Sequence, residues 1–138
     1  MNSMRELKTE ARVDCLNQVM DFLNSCLEEL ECPMRASMQI NVAVEEIFVN
    51  IASYAYAPGT GQAIIRVEAE PDVPAVRITF LDSGVPFDPL ERTDPDVSKP
   101  AAERQIGGLG IYMVKKSMDS VEYAYRDGQN QLSIVKRF

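Results

Sequence analysis

The order of apolar patterns along the chain predicts an α+β fold, a two-layer α/β sandwich whose sheet is mainly antiparallel and whose helices lie on one face. Two observations carry that prediction. Two long runs with helical period stand next to each other in the first half, and two pairs of β-branched runs follow, each pair joined by a turn short enough to make a hairpin. With 138 residues there is material for one domain with one core, so residues 1–138 are read as a single unit.

Residues 6–13 open the chain with Leu7, Ala11 and Val13 around Thr9, a period-two signal for a short first strand. Val13, Leu16, Val19, Met20, Leu23, Leu27 and Leu30 then recur at three- and four-residue steps, with Glu28 and Glu29 outside the stripe, which predicts an amphipathic helix. Pro33 suits the first turn of a second helix because its missing N–H needs no partner there, and the pattern continues to Ala57 before Pro58-Gly59 stops it. Ala63 to Ala69 and Ala75 to Leu81, joined by Pro71-Asp72-Val73-Pro74, form the first predicted hairpin. Residues 85–106 hold Pro86, Pro89, Pro95 and Pro100 among mixed charges and read as one long loop, a length that in a compact domain points to function. After Gly107-Gly108-Leu109-Gly110 comes a short helix from Ile111 to Met118. Two strands, Val121 to Arg126 and Gln131 to Arg137, close the chain around an Asp127-Gly128 turn.

Composition removes several functions. Fourteen Lys and Arg against 21 Asp and Glu leave a net charge of -7, which disfavours nucleic-acid phosphates and anionic membranes as partners. There is no histidine, which excludes a Ser-His-Asp or Cys-His triad, a histidine phospho-acceptor in this chain and histidine-based metal sites. Cys15, Cys26 and Cys32 show no CxxC spacing and fall in or beside a helical pattern, so reduced core thiols are expected. The start MNSMRELKTE has no signal-peptide character and no apolar run reaches membrane-spanning length, so a cytoplasmic protein is expected.

Three constellations stand out. Glu46 and Asn50 lie four residues apart on the second predicted helix, about 40° around its axis, so they project the same way from adjacent turns. Gln39, Ala43 and Ser53 extend their stripe, while Ile40, Val44, Ile47, Phe48 and Ile51 make the core face. The stripe reads as a solvated helix face or as a carboxylate and carboxamide that hold a hard cation and a hydroxyl. Asp82-Ser83-Gly84-Val85-Pro86-Phe87 closes a strand. It reads as an ordinary turn or as a site where Asp82 accepts a hydrogen bond from an exocyclic amine while Gly84 admits a flat ligand. Gly107-Gly108-Leu109-Gly110 leads into a helix, and it reads as a glycine-rich hinge or as a phosphate cradle at the positive end of the helix dipole.

In this order and spacing the three motifs make the chain resemble the GHKL superfamily of ATP-binding domains, and within it the anti-sigma-factor serine/threonine kinases. Asn41-Val42-Ala43-Val44-Glu45-Glu46-Ile47-Phe48-Val49-Asn50 is similar to that group's N box, and Gly107 to Val114 to its second glycine box; the resemblance runs from about Arg5 to Phe138. It implies that Asn50 coordinates Mg²⁺, that Asp82 recognises adenine, and that Gly84 shapes the base pocket. It further implies that Gly107, Gly108 and Gly110 belong to the phosphate-binding loop, that residues 87–106 form an ATP lid, and that Ser133 assists adenine binding through water. Glu46 would be the general base toward a Ser or Thr hydroxyl, with Glu45, about 100° away around the helix, structural. Two departures are visible. Pro86 stands where many members have a second glycine, and Tyr54 stands where many place a His or Lys near the phosphates; the latter bears on transfer more than on binding.

The function these implications describe is an ATP- and Mg²⁺-dependent serine/threonine protein kinase acting on a small anti-sigma-factor antagonist, with a sigma factor as a second partner and a homodimer left open. The alternative is a non-catalytic binding module of the same superfamily in which ATP changes partner affinity without transfer. The catalytic domain of a histidine kinase is a third reading, and it would need its acceptor histidine from another polypeptide.

Overall fold

The computed structural model describes residues 4–56, 58–91 and 108–138. Five strands, β1 (Arg5–Glu10), β2 (Gln62–Ala69), β3 (Ala75–Asp82), β4 (Ser120–Arg126) and β5 (Gln129–Arg137), form one sheet in the spatial order β1-β2-β3-β5-β4, every neighbouring pair antiparallel. Three helices, α1 (Leu16–Glu29), α2 (Met34–Asn50) and α3 (Gly108–Ser117), cover one face of it. This is the expected two-layer α+β sandwich.

Strand alternation decides what each face carries. On β3, Val76, Ile78 and Phe80 enter the core with Ile65 and Val67 of β2 and Leu132 and Ile134 of β5, and they meet Leu23 of α1, Phe48 of α2 and Val114 of α3. Phe48 and Phe80 are at most 1% exposed, and burying such a side chain contributes about 1.5–3 kcal/mol. The outer face is mixed, with charged pairs beside the apolar Ala75, Leu81 and Val135. Arg66 on β2 lies directly opposite Glu6 on β1, with Nε 2.7 Å from the carboxylate, a partly exposed cross-strand pair worth about 0.2–1 kcal/mol.

Both predicted hairpins form. Asp127 and Gly128 have φ of 55° and 75°, the two consecutive positive values that let a two-residue turn match the right-handed twist of its strands. The first strand ends at Glu10, where the Ala11 amide turns to bond the carbonyl of Gly61 at 2.8 Å.

Three helix expectations are corrected. The first helix begins with a 3-10 turn at Val13–Cys15, and Val13 is exposed instead of opening the apolar stripe. Pro33 precedes α2 as its N-cap, and the regular helix stops at Asn50, continuing as one π turn, Ile51–Ala55, short of the expected Ala57. The third helix starts at Gly108, inside the glycine run, not after it. Ala43, placed by period in the polar stripe, is 1% exposed and belongs to the core. The start of the expected lid is described as far as a 3-10 turn at Pro89–Glu91; residues 92–106 and Gly107 lie outside the described residues.

All three cysteines are free thiols, with Cys26 buried and Cys15 and Cys32 half-buried. Burial pushes the Cys26 and Cys32 thiols above the ordinary cysteine range, which keeps them protonated and poorly nucleophilic. Among the described residues no helix is long and apolar enough to cross a membrane.

Candidate functional site

At the Asp82 end of β3 the two layers part and leave an open cleft of about 100 Å³. Its walls are apolar: Ile47, Ile51 and Tyr54 from α2 and the π turn, Phe80 and Leu132 from the sheet, and Ile111 from α3. Asn50, Asp82, Tyr123 and Asn130 are the polar side chains facing it. An apolar slot with a few convergent polar groups is the ordinary form of a small-ligand site.

Asp82 is held in place by its neighbours. It is 5% exposed, and its Oδ1 accepts from the Gly84 amide and from Asn130 Nδ2, each at 2.9 Å. Among the described residues nothing donates to Oδ2. A buried carboxylate with one oxygen tied and the other open toward an apolar slot is set up to receive a donor from a ligand.

The π turn makes the other wall. It brings the Ala55 carbonyl to the Val85 amide at 3.0 Å, so a backbone acceptor from the end of α2 pins the chain just past Asp82. That approach requires glycine at position 84, where an added Cβ would stand 2.2 Å from the Ala55 oxygen. Tyr56 adds a second tie, its hydroxyl donating to the Gln62 carbonyl at 2.6 Å and accepting from the Ser83 amide at 2.7 Å. Single π turns inside α-helices recur at functional sites because they displace a carbonyl from the helical ladder.

The predicted site residues divide into those the fold brings together and those it does not. Asn50, Asp82 and Gly84 converge on the cleft, Asn50 and Asp82 as lining residues and Gly84 as the close backbone contact behind them. Glu46 is one turn before Asn50 on α2, partly exposed and outside the cleft lining, while Glu45 is exposed. Gly108 and Gly110 lie in the first turn of α3, three residues and one residue before the cleft-lining Ile111; Gly107 lies outside the described residues. Tyr54 lines the cleft and Pro86 is exposed at its rim.

Ser133 does not share this location. It pairs with Thr79 in the β3–β5 register, and the two hydroxyls meet 3.1 Å apart on the outer face of the sheet. Successive residues of a strand point to opposite faces, so Ser133 is turned away while Leu132 and Asn130 face the cleft. Asn130 and Tyr123 are the cleft residues that the sequence reading missed. The signal for Asn130 was present: with Leu132 and Ile134 facing inward, the residue two earlier faces inward too, and it is polar. Burial raises the Tyr123 hydroxyl above the usual tyrosine range, so it stays protonated and donates to Asn130 Oδ1.

Comparison with known proteins matches residues 9–136 to the family described as the histidine kinase-like ATPase domain. The chain is 27% identical over 101 residues to the serine/threonine-protein kinase BtrW of Bordetella bronchiseptica, covering 73% of this chain and 70% of that protein. It is 29% identical over 97 residues to a serine-protein kinase RsbW of Bacillus cereus, covering 67% of this chain and 59% of that protein. The fold is that of a crystal structure of the RsbU and RsbW domains of a Mycobacterium tuberculosis protein, with a TM-score of 0.68 at 15% identity over 98% of this chain and 32% of that one.

Proposed function

The chain belongs to the histidine kinase-like ATPase domain family, and from that premise we propose that it is an ATP-dependent serine/threonine protein kinase of the anti-sigma-factor type, acting on a small antagonist protein. The observation that carries the proposal is the buried Asp82 carboxylate, tied at Oδ1 and open at Oδ2, in an apolar slot backed by Gly84. An adenine ring fits that chemistry, since it offers an exocyclic amine to Oδ2 and a flat face to Ile47, Phe80 and Ile111.

Asn50 fits the metal role by the same test. Its carboxamide oxygen is a hard donor on the cleft wall, and among the described residues no group of three or more His, Cys, Asp or Glu is clustered to hold an ion alone. A Mg²⁺ ion there would take its other ligands from phosphate oxygens and water, as it does in most nucleotide sites. When bound it supplies charge neutralisation on the transferred phosphoryl group. The amides opening α3 at Gly108 have no partner within the helix and suit phosphate oxygens, with the helix dipole adding to the attraction.

Glu46 is the base of this reading. One turn from Asn50 and partly exposed, it can take the proton of an acceptor Ser or Thr as that oxygen bonds phosphorus and the bond to the leaving ADP breaks. Glu46→Gln keeps the shape and removes the base. It is expected to leave ADP affinity within about twofold while slowing transfer by about 10²–10⁴, read by phosphate incorporation from labelled ATP into antagonist domains of the same cell.

Two observations favour a second reading, a nucleotide-switched binding module without transfer. Glu46 stands outside the cleft lining, and the phenol of Tyr54 occupies the wall where a cation would assist the phosphates. The same experiment decides: nucleotide-dependent partner affinity without any labelled antagonist establishes the module and ends the kinase. The antagonist and a sigma factor are the partners proposed in either case.

A further inference from the structure

Asn130 is 6% exposed and sits directly opposite Asp82 across the β3–β5 pair. A carboxamide has two N–H donors and an oxygen with two lone pairs, and the protein uses all of them. Nδ2 donates to Asp82 Oδ1 and to the Val85 carbonyl, each at 2.9 Å. Oδ1 accepts from the Phe87 amide at 3.1 Å and from the Tyr123 hydroxyl. A side chain so fully engaged has nothing left for a ligand, although it lines the cleft. Its partners define what it does instead. It holds Asp82 by the same oxygen that the Gly84 amide bonds, so the carboxylate cannot turn about its Cβ–Cγ bond without giving up both bonds to Oδ1. The same amide fastens Val85 and Phe87, the rim of the cleft just past β3.

We infer that Asn130 is the positioning residue of base selectivity: it makes Asp82 a one-sided acceptor presenting Oδ2, and it ties that acceptor to the rim at Val85 and Phe87. This rests on reading the cleft as a nucleotide site and says how that site distinguishes bases. A base with an exocyclic amine satisfies Oδ2 and completes the network; a base with a carbonyl at that place faces a carboxylate that cannot rotate away. Selectivity for the amine and order at the rim therefore change together.

The test compares ADP with IDP, whose base carries a carbonyl where adenine carries the amine. Calorimetric titration of the wild type is expected to show at least about tenfold preference for ADP, the worth of one charge-assisted hydrogen bond. Asn130→Ala is expected to bring that ratio within about twofold. A loss of stability alone would weaken both nucleotides alike and leave the ratio unmoved. Amide hydrogen exchange at Phe87 is the second readout, and it uses the wild type only, so it decides even if the variant does not fold. At equal saturation ADP is expected to slow Phe87 exchange several-fold more than IDP does. An unchanged ratio in Asn130→Ala, or equal protection of Phe87 by the two nucleotides, overturns the inference and leaves the nucleotide site standing. A wild type that binds neither nucleotide overturns the nucleotide reading, and this inference with it.

Discussion

Two glycines of this chain are required for different physical reasons, and the difference predicts how each tolerates a methyl group. Gly128 has a φ of 75° with open space around it, so alanine there meets no atom and suffers only the left-handed backbone. Gly84 lies against the Ala55 carbonyl at 2.2 Å from the site of a Cβ, and the atom in the way is backbone, which cannot swing aside as a side chain can. Gly84→Ala is therefore expected to break the Val85–Ala55 bond, to destabilise by about 1–3 kcal/mol as overpacking does, and to weaken ADP binding because Asp82 moves with it. Denaturant titration and calorimetry on one preparation read both effects; unchanged stability would mean the π turn yields easily. The motif around Gly84 was legible only in company: Asp-Ser-Gly at a strand end reads equally as an ordinary turn, and it stood out through its order and spacing with the Glu46–Asn50 pair and the glycine run. That Asn130 completes it, and that Ser133 does not, depends on strand parity. Leu132 and Ile134 carried that parity in their alternation, but the resemblance drew attention to a hydroxyl instead.

The four strands of the two hairpins were legible to within a residue or two because their signals are local, β-branched alternation, prolines at one turn, Asp-Gly at the other, whereas the first strand, expected over 6–13, ends at Glu10. The end of α2 was not, since the apolar period runs on to Ala57 while the chain changes pitch at Ile51. The cause is tertiary, a bond from Val85 more than two dozen residues away, and nothing in the helix's own sequence announces it. The start of α3 misled in the opposite direction, because glycine disfavours helix interiors by only about 1 kcal/mol and the first turn tolerates it. The β4–β5 hairpin offers a test at this scale. Gly128→Ala is expected to destabilise by about 1–2 kcal/mol, the strain of a left-handed non-glycine residue, with no loss of the ADP to IDP preference, since the turn itself touches nothing in the cleft. Urea midpoints and calorimetry check both halves. A variant that folds normally yet loses selectivity would show that the turn sets the Asn130 register.

At the scale of the whole molecule, the core and the cleft are one continuous space between the same two layers, filled with side chains at one end and open at the other. Phe80 and Leu132 border both. A nucleotide in the cleft would bridge α2 and its π turn to β3, β5 and α3, so it adds contacts between the sheet and the helices that folding already joins. Binding only to the folded state raises the unfolding free energy by about 2.7 kcal/mol at a ligand concentration 100 times Kd, which for a chain of this size moves Tm up by about 5–10 °C. Scanning calorimetry with ADP and Mg²⁺ is expected to show that shift, and chelation of the Mg²⁺ to reduce it. Asn50 decides how to read the result. If its carboxamide is the protein's ligand to the ion, Asn50→Ala should retain a smaller ADP shift that no longer depends on Mg²⁺, because the base still reaches Asp82 while the ion has lost its anchor. A shift in Asn50→Ala that still falls on chelation would move the ion's ligand to another residue, and no shift in the wild type at any concentration would remove nucleotide from the cleft altogether.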